Sequence, residues 1–206
     1  MTTAVTTWVD SGNIGTASGS NPLIVLLHGY GSNERDLPGI VPWLGVDNPW
    51  VSLRAPIGLE HGGFAWFPIT TPLNPPSGDL DAATASIWAW LDEHISAEVP
   101  LIVIGFSQGG MMVTQLLRTR PGRVSRAAVL AGFATAIPQP GDDALAAHRP
   151  AVLWTRGLAD IVISPEANDR TREMLTQLCE LNERTYPGLG HSVDERVLAD
   201  LRDYLA

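Results

Sequence analysis

Short apolar runs punctuate the chain. Leu23 to Leu27 (LIVLL), Leu101 to Ile104 (LIVI), Ala127 to Leu130 (AAVL) and Ala151 to Trp154 (AVLW) are rich in branched aliphatic residues, with a weaker run at Trp50 to Leu53 (WVSL). None alternates strictly with polar residues, which predicts central parallel strands covered on both faces. Between them the pattern changes to steps of three and four. Leu80, Ala83, Ile87, Trp90, Leu91, His94 and Ile95 predict a helix over Asp79 to Ile95, with Ser77 or Asp79 as its cap. A second helix runs from Gln108 to about Arg118 through Met111, Met112, Gln115 and Leu116. A third begins at Pro165 with Ser164 as N-cap and is carried by Ala167, Arg170, Met174, Leu178 and Leu181. In the last, Val193, Val197, Leu201 and Leu205 are spaced by fours, with Asp194 and Glu195 in the first turn, where their charge suits the helix dipole.

Strand and helix thus alternate, with a preliminary strand at Thr6 to Val9. That order predicts an α/β fold: an open, mainly parallel sheet with helices on both faces and right-handed crossovers. No repeat or interdomain linker interrupts it, so residues 1–206 are expected to form one domain, with 1–20 a leading strand or extension. The Pro/Gly-rich stretches Pro68 to Gly78 and Pro138 to Asp142 are expected to be loops. Residues 64–78 are placed as a substrate-rim loop.

Composition narrows the partners. The 206 residues carry a net charge of −9 and a sequence pI near 4.9, which disfavours nucleic acid or an anionic membrane as partner. Charged residues make up only 17%, and apolar residues 45%, which suits a folded chain with a neutral or modestly polar ligand. Cys179 is the single cysteine, so no internal disulfide or cysteine-based metal site is expected. The start shows no basic segment followed by an apolar one, and no window is apolar enough to span a bilayer; the cytoplasm is the expected location.

The chemistry concentrates at Gly105-Phe106-Ser107-Gln108-Gly109, where a G-x-S-x-G pattern sits between an apolar strand and a helix. A serine on so tight a turn projects its hydroxyl from the sheet edge, and glycines at 105 and 109 let strand and helix approach closely. Such a hydroxyl needs a base, normally a histidine oriented by a carboxylate. Of the five histidines, His94 is read as a partly buried structural residue, His148 as surface and His61 as a loop residue, with lining the site as its alternative. His28 ends the first strong strand, where it is read as a scaffold residue fixing nearby loops. His191, in PGLGHSV before the last helix, remains as the base. For the carboxylate, Asp142 and Asp143 fall in a Pro/Gly loop and Glu166, Asp169 and Glu173 on a helix. Asp160 instead follows the strand VLWT and lies between serine and histidine in chain order. The backbone N–H groups of Tyr30 and Gln108 are the candidate donors to an oxyanion.

LLHGYG, GFSQGG, a strand followed by G-x-x-D, and PGLGHSV, in that order from about residue 20 to 203, resemble the carboxylesterase/phospholipase family of small α/β-hydrolases, which includes acyl-protein thioesterases and bacterial carboxylesterases. The resemblance implies Ser107 as nucleophile, Asp160 as triad acid, His191 as base, Tyr30 and Gln108 at the oxyanion hole, and hydrolysis of carboxylic esters or thioesters without metal or organic cofactor. Two positions depart from the family pattern: Arg156 where relatives commonly carry histidine, and Pro68 where an acidic residue is common.

The leading reading is a serine carboxylesterase for short- to medium-chain esters, its partner a small-molecule ester. The alternatives are a lysophospholipase or acyl-protein thioesterase-like hydrolase, and a catalytically silent binding module. Phe64, Trp66, Phe67, Met111 and Leu158 are the candidates for an apolar acyl pocket. Exposed aromatic loops allow a weak homodimer, and no stable membrane insertion is expected.

Overall fold

The computed structural model describes residues 4–69 and 76–206. Seven strands among them form one sheet: β1 (Trp8–Asp10), β2 (Leu23–Leu27), β3 (Trp50–Leu53), then, beyond a two-stranded hairpin of β4 (Ile57–Gly58) and β5 (Phe64–Ala65), β6 (Leu101–Phe106), β7 (Val124–Leu130), β8 (Ala151–Gly157) and β9 (Glu180–Tyr186). Their spatial order is β1-β3-β2-β6-β7-β8-β9, and only the β1–β3 pair is antiparallel. Among the described residues there are five α-helices, α1 (Ser77–His94), α2 (Gln108–Thr119), α3 (Asp142–His148), α4 (Pro165–Leu178) and α5 (Glu195–Leu205).

The central strands are apolar at successive positions because both faces are covered. In β2, Leu23, Val25 and Leu27 enter the core formed with α1, α2, α3 and α4, whereas Ile24 and Leu26 enter a second core with α5 and Leu37. Leu37 opens a 3-10 helix spanning Leu37–Trp43. Each buried aliphatic side chain contributes roughly 1.5–3 kcal/mol, so a one-residue register slip would merely exchange the two cores' residues in these strands. Register is held instead by the ladders and by side-chain shape.

Several elements differ from the sequence expectation. The first strand is shifted to Trp8–Asp10, and α1 starts at Ser77 after Pro76 with no side-chain cap from Ser77 or Asp79. Asp142 and Asp143 open the short helix α3 rather than lying in a loop, which puts both carboxylates in its first turn. Helix α4 is capped by Ser164 as expected but stops at Leu178, so Leu181 belongs to β9. Likewise α5 begins at Glu195; Asp194 is its N-cap, accepting from the N–H groups of Arg196 and Val197, and Val193 precedes the helix.

Strand β9, ELNERTY, carries no apolar run and is half exposed, as an edge strand allows. Its Glu183 lies between Arg156 of β8 and Arg172 of α4, accepting from both at 2.9 Å. The hydrogen bond from Arg172 in particular holds this carboxyl below the usual carboxylate range. The expected rim loop is divided: Phe64 and Ala65 form β5, Trp66 and Phe67 are buried, and 70–75 lie outside the described residues.

Candidate active site

Parallel pairing sets where the strands release the chain. Leu27 pairs with Gly105, Phe106 with Leu130, Leu130 with Thr155, and Gly157 with Tyr186, so these strands end close to one edge of the sheet. Between β2 and β6 the strand order reverses, because β3 lies on one side of β2 and β6 on the other. A crevice at the carboxyl edge beside such a reversal is where open parallel sheets bind ligands. Tyr30 leaves β2 there, and Ser107 leaves β6.

Ser107 occupies φ 53°, ψ −114°, a strained conformation for a non-glycine residue, held by its N–H donating to Leu130 O at 2.9 Å and its carbonyl accepting from Met111 N–H at 3.1 Å. The glycines around it are required by contact distance. A Cβ on Gly105 would lie 2.3 Å from the Gly109 carbonyl oxygen, and one on Gly109 would lie 1.9 Å from that of Leu27. Helix α2 therefore rests with its first turn directly on β2 and β6.

Two later loops converge on Ser107. After β8, the Leu158 N–H donates to Tyr186 O at 3.0 Å and Ala159 N–H to Leu189 O at 2.9 Å, so the loops following β8 and β9 are zipped together. That zipper brings Asp160 to His191. His191 Nδ1 donates to Asp160 Oδ2 at 2.7 Å, and Ser107 Oγ donates to His191 Nε2 at 2.8 Å. A carboxylate only accepts, so the proton resides on Nδ1 and Nε2 is the acceptor. The other Asp160 oxygen accepts from the N–H groups of Val162 and Ile163 at 2.8 and 3.2 Å. The Asp160 side chain is 3% exposed and that of His191 17%, with the imidazole against Phe106 at 5.1 Å between ring centroids. A hydroxyl bonded to an imidazole that is in turn oriented by a carboxylate is the arrangement nucleophilic acyl transfer requires.

On the facing side, Gly29 lies so close to Phe106 that an added Cβ would meet its ring at 3.0 Å and the Ser107 Cβ at 3.4 Å, keeping the Tyr30 turn against Ser107. The Gln108 N–H, at the start of α2, has no intrahelical acceptor. His28 is buried at the base of this turn. Its Nε2 accepts from Ala55 N–H at 3.0 Å and its Nδ1 donates to Gly29 O at 2.7 Å, a scaffold position in keeping with the sequence reading. Burial holds its pKa below the ordinary histidine value.

Of the remaining histidines, His61 and His148 are exposed, and His94, also exposed rather than partly buried, stacks on Trp90 at 4.4 Å. The expected acyl pocket is largely corrected. Trp66, Phe67 and Met111 are at most 2% exposed and pack in the core, because residues 66 and 67 turn inward after β5 and α2 is buried on every side. Phe64 is half-buried beneath the guanidinium of Arg54, and Leu158 is exposed. Exposed apolar surface beside Asp160 comes instead from Leu158, Ile161 and Val162, the last two unnoticed in the sequence although an apolar pair in a loop was the available signal. Among the described residues no group of three or more His, Cys, Asp or Glu side chains is arranged to hold a metal, and no helix is long and apolar enough to cross a membrane. Cys179 is buried at the end of α4, its thiol pushed up to about 12 by desolvation.

A mainly parallel sheet with helices on both faces and a serine at the strand-to-helix turn defines an α/β-hydrolase fold. The chain belongs to the phospholipase/carboxylesterase family, whose profile matches residues 14–206. A probable carboxylesterase of Oryza sativa subsp. japonica is 28% identical over 168 residues, 74% of this chain and 62% of the plant protein. The chain thus spans less than two thirds of that relative's length. The crystal structure of a carboxylesterase from Mesorhizobium loti superposes with a TM-score of 0.81 at 23% identity, covering 100% of this chain and 99% of the other. That of the Bacillus cereus carboxylesterase gives 0.79 at 19% identity, over 96% and 92%.

Proposed function

We propose that this chain is a serine hydrolase of carboxylic esters acting through an acyl-enzyme on Ser107. The observation that carries the reading is the continuous hydrogen-bond chain from Ser107 Oγ through His191 to Asp160. As Ser107 Oγ attacks the ester carbonyl carbon, its proton passes to His191 Nε2, and the carbonyl oxygen becomes an oxyanion facing the N–H groups of Tyr30 and Gln108. Collapse of this adduct expels the alcohol, which takes the proton from His191. Water then attacks the acyl-serine with His191 again as base, releasing the acid and restoring the serine hydroxyl. Asp160 keeps the imidazole in the tautomer that accepts from Ser107 and stabilises the imidazolium. Nucleophile, base and oxyanion donors all come from the chain, so the sequence of steps calls on no metal or organic cofactor.

The preferred substrate is a small ester with a short to medium acyl chain. Support comes from the burial of Trp66, Phe67 and Met111, which are committed to the core, and from the apolar surface of Leu158, Ile161 and Val162 beside Asp160. Location in the cytoplasm remains part of this proposal.

The test is active-site titration with a fluorophosphonate, followed by mass spectrometry of the adduct. Ser107 is expected to be the labelled residue. Ser107→Ala and Asp160→Asn are each expected to lower ester turnover by about a thousandfold or more while leaving the fold intact. Labelling at another serine, or near-normal turnover by Ser107→Ala, would overturn the assignment.

A further inference from the structure

The two N–H groups assigned to the oxyanion lie in different parts of the chain, Tyr30 after β2 and Gln108 at the start of α2. Residues 64–67 join them. The Phe64 carbonyl accepts from Gly31 N–H at 2.9 Å, and Phe64 N–H donates to Ser32 O at 2.8 Å. A Cβ on Gly63 would fall 2.0 Å from the Gly31 carbonyl oxygen, so this segment lies directly against the Tyr30 turn. Two residues further on, Trp66 N–H donates to Gln108 Oε1, and Gln108 Nε2 donates to Phe67 O, both at 2.8 Å. The indole Nε1–H of Trp66 then reaches back to donate to His28 O at 2.9 Å, with the two rings 5.5 Å apart.

We infer that Trp66 and the Gln108 carboxamide are positioning residues, and that residues 64–67 form a strut setting the separation of the two oxyanion donors. The inference rests on the proposed acyl transfer at Ser107. One short segment is hydrogen-bonded to both donor-bearing elements, and its bridging side chains are 1% and 2% exposed. Away from water these bonds are made with little competition and are costly to leave unmade. Oxyanion stabilisation depends on donors fixed before charge develops, and a displacement of about 1 Å costs on the order of a hundredfold in rate. The carboxamide of Gln108 is engaged with the 66–67 backbone, which leaves its backbone N–H, without an intrahelical acceptor, as the group assigned to the oxyanion.

Two variants separate positioning from mere stability. Trp66→Phe keeps a ring and deletes the indole N–H. Gln108→Met keeps the side-chain length, deletes both carboxamide bonds and leaves the backbone N–H at position 108. The readouts are kcat and KM for p-nitrophenyl butyrate, thermal stability, and inhibition by an alkyl trifluoromethyl ketone. Ser107 Oγ adds to the carbonyl carbon of that ketone, its proton passing to His191 and the ketone oxygen becoming an oxyanion. Each variant is expected to lose about tenfold to a hundredfold in kcat, with KM within about twofold and the ketone inhibition constant raised by the factor lost from kcat. Fluorophosphonate labelling of Ser107 is expected to stay stoichiometric. Folded variants with unchanged kcat and unchanged ketone affinity, whatever their melting temperature, would overturn the strut while leaving the esterase reading in place. A wild-type chain that neither hydrolyses the ester nor takes up phosphonate would overturn that reading and the strut with it.

Discussion

The meeting of Ser107, Asp160 and His191 was legible because each lies just beyond a strand or in the loop leading to a helix, where a parallel sheet delivers side chains to its carboxyl edge. Trp66, Phe67 and Met111 were misassigned for the complementary reason: an apolar residue in a loop or on a helix buried all round carries no periodic signal of where it faces, and here all three face the core. Arg156, which departs from the family pattern, has a local account. It donates to Glu183 and lies over Trp154 at 5.5 Å, tying β8 to the edge strand β9. His28 yields a pH prediction. Its lowered folded-state pKa means that below the ordinary value near 6.5 the unfolded chain binds a proton that the folded chain refuses, so stability present above that value is lost as pH falls below it. Denaturant midpoints are expected to drop as pH falls below about 6.5, with the His28 imidazole titrating below the ordinary histidine value in the folded protein. A titration of His28 at or above 6.5 in the folded protein would contradict this.

At the scale of elements, the strands buried on both faces and the helices with clear starts were legible, and β9 and α3 were not. Strand β9 has only Leu181 and Tyr186 as apolar residues and forms through pairing with β8, from Ala151–Glu180 to Gly157–Tyr186, a long-range event without a local signature. Helix α4 was overrun because Leu181 continues the spacing of Leu178, although the chain turns at Cys179. The seating of α2 on β2 and β6 leads to a sharper expectation. Gly109→Ala places a methyl 1.9 Å from the Leu27 carbonyl oxygen, against backbone that cannot move aside cheaply. It is expected to cost about 1–3 kcal/mol or more in urea denaturation and to lower kcat through displacement of Ser107 and the Gln108 N–H. Gly39→Ala, in an exposed 3-10 turn with nothing within 4 Å, is the control, expected to be neutral or stabilising by up to about 1 kcal/mol. Equal losses in the two variants would refute the close-contact argument.

For the molecule as a whole, chain-length preference follows from how much apolar surface the site offers beyond the core. Each methylene buried against Leu158, Ile161, Val162 and Tyr30 adds at most about 0.8 kcal/mol, and the gain ends when the chain outgrows that surface. Efficiency with p-nitrophenyl esters is therefore expected to peak at about four to eight acyl carbons and to fall by twelve to sixteen, measured below the critical micelle concentration. A steady rise to sixteen carbons would favour a lipid or acyl-protein substrate. By itself the sequence determined the alternation of strand and helix, the apolar strands of the sheet and the loops that carry serine, aspartate and histidine, because these depend on local periodicity, turn residues and chain order. Only the tertiary structure decided that Asp160 and His191 are zipped into hydrogen-bonding distance, that Trp66 and the Gln108 side chain bridge the two sides of the crevice, and that a polar segment becomes the edge strand. Those outcomes depend on contacts between residues far apart in the chain, and the direction of a side chain is set by what packs against it.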